Sequence, residues 1–259
     1  MLSTTAQPIK DQRGHTSSLT LSTDKVGIGT ATPSAKLNID PKGPGGIVIG
    51  DPDTGSGGFT SLLMDISDAS NGFGRVQAIK SSGSAWGDIA LNPLGGNVGI
   101  GKADPQAALD VNGNIVTNGD ISLTNADCAE DFNTSGGDAE PGTVMVLGDQ
   151  DTLKPSEHAY DKRVAGVISG AGDYKPGIVL DRQPSQRKHS TISLLGKVFC
   201  KVDARYGSIA VGDLLTTSDT PGHAMKATDP FKAFGSVIGK ALRPLGEGQG
   251  LIPILIALQ

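Results

Sequence analysis

The chain has 259 residues, 37% of them hydrophobic and only 4% aromatic, with 37 glycines and 15 prolines. That mix is too poor in large side chains for a thick globular core throughout, yet it falls short of the glycine and proline level of a disordered chain, so a thin β fold is expected. A net charge of −5 speaks against nucleic acid or an anionic membrane as the main partner, and no apolar run approaches the ~18 residues of a membrane span, which argues against membrane insertion.

Residues 1–18 are polar and lack periodicity, and read as an arm that attaches to something or stays free. No basic segment followed by an apolar stretch opens the sequence, so no signal peptide is expected. Ser18-Leu-Thr-Leu-Ser22 alternates and should be a strand feeding the next stretch, Lys25 to Asp40. That stretch, KVGIGTATPSAKLNID, returns 72 residues later as NVGIGKADPQAALDVN, Asn97 to Asn112, with eight of sixteen positions identical. Repetition at a fixed period points to stacked units. In each copy Val-Gly-Ile-Gly reads as a short strand. Thr32-Pro33 or Asp104-Pro105 then makes a turn, because proline presets φ and holds its predecessor extended. Leu37 and Ile39, or Leu109 and Val111, alternate on the outgoing strand. The expectation is a repeated β-hairpin, too small to bury its own apolar face and needing other copies of the chain to do so.

Between the copies, Pro41 to Gly46 breaks the chain and Asp51 to Gly58 reads as a loop. Leu62 to Ile66 and Arg75 to Ile79 read as strands joined by a turn at Asn71-Gly72. Trp86, the only tryptophan, precedes Asp88-Ile-Ala-Leu91 and the second repeat; Asn112-Gly113 and Asn118-Gly119 add two more turn signals. Near residue 125 the character changes. Longer apolar strands are expected at Thr143–Leu147, Val164–Ser169, Gly177–Leu180, Thr191–Val202, Asp213–Thr217, Ser236–Leu242 and Leu251–Leu258, a pattern that fits a compact barrel or sandwich. Asp213 to Lys226 reads as a hairpin turning at Asp219-Thr-Pro-Gly222, and Asp229-Pro230 should cap one helical turn. The fold class is all-β, with residues 1–20 an attachment arm, 21–125 a repeat-containing shaft and 126–259 a compact C-terminal β domain.

Chemistry is sparse. Gly96 to Lys102 comes within one residue of a phosphate-binding loop, but Ala103 stands where Ser or Thr must hold magnesium, and Asp104-Pro105 turns the chain into a strand, not a helix. No cofactor is expected. His15, His158, His189 and His223 sit in separate polar segments without metal-ligand spacing, so no metal is expected either. Ser169 and Ser218 lack a nucleophile-elbow context. Cys128 and Cys200, 72 residues apart with no second pair, make neither a disulfide framework nor a zinc site; two buried thiols are expected, with one disulfide as the alternative. Asp161-Lys-Arg163 reads as a surface ion-pair cluster and Arg182 to Lys188 as a solvated basic loop. Asp127 and Glu130, in Ala126-Asp-Cys-Ala-Glu-Asp-Phe132, are the one candidate catalytic pair, because two nearby carboxylates act as acid and base where burial separates their proton affinities. A carboxylate-rich loop capping the C-terminal domain is the plainer reading. Trp86 and Tyr174 are candidate sugar-stacking aromatics.

The phrase Leu91-Asn-Pro-Leu-Gly-Gly-Asn-Val-Gly-Ile-Gly101, followed by Pro105-x-Ala-Ala-Leu-Asp-Val-Asn-Gly-Asn-Ile115, resembles bacteriophage tail-fibre proteins. That resemblance implies interwoven β-hairpins of a homotrimeric shaft, a baseplate or tail protein held through residues 1–20, a cell-surface receptor such as a glycan, and a place in a virion or an injection particle. The segment Asn125 to Phe132, with Arg163-Val-Ala-Gly-Val-Ile-Ser169 downstream, is similar to C-terminal domains of phage appendages that guide trimer assembly and then cleave themselves off. Carried over, Asp127 and Glu130 would be catalytic and the cut would fall between Asn125 and Ala126.

Overall fold

The computed structural model describes residues 4–10, 13–40, 45–50, 60–66, 73–80, 85–135, 137–182 and 188–257. The Asn71-Gly72 turn, the Asp51–Gly58 loop, and most of the basic run after Arg182 lie outside them. Strands make up nearly all the regular structure, as the composition requires; helix is limited to single turns. The chain divides into two compact units, Met1–Val116 and Thr117–Gln259.

Among the described residues the first unit holds ten strands in three separate sheets. Strands β1 (Gln7–Lys10), β2 (Thr16–Leu21), β3 (Val26–Ile28) and β4 (Leu37–Ile39) pair in that order, so the segment read as an arm carries two paired strands. A meander of β5 (Gly45–Gly50), β6 (Thr60–Ile66), β7 (Gly74–Lys80) and β8 (Ala85–Trp86) forms the second sheet. The third is only β9 (Val98–Ile100) with β10 (Leu109–Val111).

The repeats are not hairpins. In both copies the two strands run parallel, with Val26 opposite Leu37 and Val98 opposite Leu109. The hairpin reading counted one reversal, at Thr32-Pro33. A second occurs at Gly29, whose φ of +79° only glycine adopts without strain, and two reversals restore the original direction. Gly101, at +67°, repeats it. Backbone bonds lock the crossover in each copy: Asp40 N donates to Ile28 O at 2.8 Å and Asn112 N to Ile100 O at 2.9 Å. A side chain at Gly29 would collide with Asp40 O, and one at Gly99 with Lys102 O. The glycines of Val-Gly-Ile-Gly thus let the crossover lie against its own strand.

The second unit closes on itself. Its strands are β11 (Asp127–Asn133), β12 (Val144–Leu147), β13 (Leu153–Pro155), β14 (Val164–Ile168), β15 (Pro176–Leu180), β16 (His189–Asp203), β17 (Leu214–Thr217), β18 (Ala224–Lys226), β19 (Val237–Ala241) and β20 (Gln249–Ala257). The order β16-β18-β17-β19-β20 is closed by β16 pairing with β20, giving a five-stranded barrel. Val198, Cys200, Val202, Leu215, Ile238, Ile252, Ile254 and Ile256 fill it. The fifteen-residue β16 then runs on between β14 and β11 into a second sheet, whose core is Met145, Leu153, Ile168 and Ile192 with Phe132 and Leu194 against them. The Asp213–Lys226 hairpin forms as read, with Thr217 opposite Ala224. The helical turn α1 (Pro230–Ala233) is capped by Asp229, which accepts from Phe231 N and Lys232 N.

Burial separates the units. Among the described side chains, every buried Val, Ile, Leu and Met lies between Val144 and Ile256. In the first unit the buried positions among the described side chains are Thr20, Ser22, Gly27 and Pro33.

The Gly29→Ala protein is expected to lose more than about 1 kcal/mol in the first unit, from strain at positive φ plus collision with Asp40 O. Gly74→Ala, where a side chain meets nothing within 4 Å, should be neutral or slightly stabilising. Chemical denaturation of the two variants side by side checks this.

Candidate functional site

The acidic segment is a strand, not a capping loop. Strand β11 lies between β15, parallel to it, and β16, antiparallel. Period two in a strand sends residues three apart to opposite faces, so Asp127 and Glu130 point away from each other and do not form a pair. Asp127 is 5% exposed, and neither of its carboxylate oxygens meets a hydrogen-bond donor. Asp131 accepts from Thr191 Oγ1 at 2.6 Å. The peptide ahead of Asp127 is held as sheet: Ala126 N donates to Lys175 O at 2.9 Å, and Lys197 N donates to Ala126 O at 3.3 Å.

The best-formed polar network surrounds Asp203, where β16 ends. Its side chain is fully buried and accepts from Arg205 Nε at 3.0 Å and Nη2 at 2.5 Å, from Arg205 N at 3.0 Å, from Thr220 Oγ1 at 2.7 Å and from Gln249 Nε2 at 3.2 Å. The Arg205 guanidinium, aided by the other donors and opposed by burial, holds this carboxyl far below its usual range. The network ties the end of β16 to the β17–β18 turn and to the start of β20, so it is structural. Sequence reading missed it; the signal present was an aspartate two residues before an arginine at a strand end.

Elsewhere the polar residues satisfy each other. Lys102, the would-be phosphate-loop lysine, pairs with Asp110 at 2.7 Å inside its own repeat. Arg163 grips Asp161 through Nε and Nη2 at 3.0 and 2.8 Å. Cys200 is buried, and burial pushes its thiol up to about 12, which removes it as a nucleophile. Cys128 is half-buried and also free. His223 Nδ1 donates to Pro221 O at 2.8 Å. Among the described residues no group of three or more His, Cys, Asp or Glu is placed to hold a metal ion, and no helix is long and apolar enough to cross a membrane. A cleft of about 440 Å³ opens beside the β12–β13 turn, lined by Ser135, Asp149, Gln150, Thr152, Lys154 and Arg163.

Among the described residues no catalytic constellation is assembled, and the exposed apolar side chains form the more distinctive feature. Ile28 and Leu37 in the first repeat are 39% and 56% exposed; their counterparts Ile100 and Leu109 are both 55% exposed. Two copies of one motif leave the same two side chains uncovered. No family model and no curated protein matches the chain. Trp86 stands 70% exposed on β8, while Tyr174 packs against Phe199 with ring centres 5.1 Å apart and lies under Lys197. Of the two aromatics singled out in the sequence, only Trp86 has a free face. Phe231 within α1 and Phe234 at its C-terminal cap, both exposed, gave no signal beyond the helical turn itself.

Because the Asp203 carboxyl sits below its unfolded value, its stabilisation is complete at neutral pH and is lost as pH falls below ~4. Asp161, lowered by Arg163, and Asp213, lowered by Lys226, act in the same direction. The thermal midpoint of the second unit should hold steady from pH 7 to about 5 and drop below about 4. Asp203→Asn should cost about 1–3 kcal/mol at neutral pH and flatten that drop, as read by circular dichroism.

Proposed function

We propose that this chain is a structural subunit, a homotrimeric fibre or spike component of a phage tail or contractile injection particle that attaches the particle to a target cell. The observation that carries the reading is the matched exposure of Ile28 with Ile100 and of Leu37 with Leu109. Soluble single chains rarely leave large apolar side chains open at repeated positions, and copies wound about a common axis cover them together. Leu94 just before the second repeat, and Ile115, Val116, Ile121 and Leu123 just after it, are all exposed and support the same reading. Residues 1–20 serve as the end joined to the baseplate or tail, the repeats as shaft, and the self-contained β domain as the end that registers the trimer and meets a receptor. Trp86 offers a flat apolar face of the kind that stacks on a sugar ring.

Gold-labelled antibody against the chain should decorate fibres on particles released from producing cells, and added pure protein should block their adsorption to target cells. Protein found only free of particles, with adsorption unaffected, overturns the assignment.

A second reading, a self-cleaving chaperone for trimer assembly cut between Asn125 and Ala126, is favoured by one observation. Asp127 is a buried carboxylate with no donor, two residues from that bond. Under the fibre reading the assembled protein keeps its 26.4 kDa mass on prolonged incubation. Two fragments from the wild type, with Asp127→Asn and not Glu130→Gln staying whole, would establish self-cleavage through Asp127 instead; mass spectrometry separates the cases.

A further inference from the structure

The two repeats share a sequence but not an environment. In the first, β2 lies along β3 with Leu19 opposite Ile28, Thr20 opposite Gly27 and Leu21 opposite Val26. Thr20 Oγ1 reaches over the strand, donating to Thr30 O at 2.8 Å, and Gly27 is buried beneath it. In the second, β9 pairs with β10 and with no other described strand, so its outer edge is open and Gly99 is exposed. An open edge beside an apolar face is a template for another strand.

The sequence supplies that strand. Ile89-Ala-Leu91 precedes the second Val-Gly-Ile-Gly as Leu19-Thr-Leu21 precedes the first, with a connection of six residues, Asn92–Asn97, in place of four. The alternation is the same, yet residues 88–91 form no strand, and Ile89 and Leu91 are 42% and 66% exposed. The longer connection makes a turn of its own. Gly95 N donates to Asn92 O at 3.1 Å, Asn92 Nδ2 donates to Asn97 O at 2.9 Å, and Asn92, Gly95 and Gly96 all take positive φ. Donor strand and acceptor edge are therefore both unpaired within one chain.

We infer that residues 88–91 of one copy pair with the open β9 edge of the next, placing Ile89 opposite Ile100 and Leu91 opposite Val98. The inference rests on the self-association proposed above and adds which strand joins which copy. A second copy is the fitting occupant because each chain carries both this donor segment and this acceptor edge, so a head-to-tail ring pairs every 88–91 segment with a β9 edge. The exchange also covers Gly99, as β2 covers Gly27. Ala90 stands where Thr20 does and lacks its hydroxyl, so the second joint relies on backbone pairing and on Ile89 and Leu91.

Cysteines at facing positions test this in the full chain with Cys128 replaced by Ser, Cys200 being buried. Chains carrying Ile89→Cys and chains carrying Ile100→Cys, co-expressed and oxidised, should give a covalent dimer of the two on a non-reducing denaturing gel. The chain carrying both substitutions should shift to covalent multimers, and neither single substitution alone should cross-link. A disulfide confined within the doubly substituted chain would show that residues 88–91 close the edge in their own copy, and the inference falls. Absence of any disulfide while the uncross-linked variants still sediment as an oligomer overturns the strand exchange but leaves self-association standing. Sedimentation as a monomer removes both.

Discussion

Apolar surface must be covered, and the two halves of this molecule meet that demand in different ways. The second unit encloses its own aliphatic side chains inside a closed barrel and the sheet beside it. Among the described side chains of the first unit, no Val, Ile, Leu, Met or aromatic residue is fully enclosed. Burial is worth about 25 cal/mol per Å² of apolar surface, and a two-stranded sheet such as β9–β10 with a bare face is at best marginal against the entropy of ordering its own backbone. Ile28, Leu37, Ile100 and Leu109 are the apolar surface that the proposed self-association would cover.

The second unit is organised by β16. One edge of this long strand closes the barrel against β20; beyond a bulge, its other end is sandwiched by β11 and β14 in the second sheet. A single stretch thus carries both cores, and the Asp203 network at its end fixes where the chain leaves the barrel. A unit closed in this way carries its own apolar core. Its outer face still carries Leu195, Leu214, Leu251 and Leu255, exposed and interspersed with Lys197 and Lys240, which is surface available for contact.

Much of this was legible in the sequence wherever period two and turn residues act locally. The barrel strands, the Asp213–Lys226 hairpin and the Asp229 cap all appear where alternation and Pro, Gly or Asp place them. The repeats were found but given the wrong hand of connection, because whether a strand returns antiparallel or parallel depends on the number of reversals, and Gly29 hid the second of them inside a motif that looked like strand. Strand β11 was obscured by its carboxylates. Asp127 and Glu130 looked like a pair because they are close in sequence, but strand geometry puts them on opposite faces. The Asp203 network joins residues up to 46 positions apart, which no local pattern announces.

The account stands or falls on whether the repeats are covered by other copies. Sedimentation equilibrium of the intact protein measures this most directly. The account predicts a single species of about three times the 26.4 kDa chain mass, persisting on dilution to low micromolar concentration. A stable, folded species of 26.4 kDa under the same conditions would contradict it.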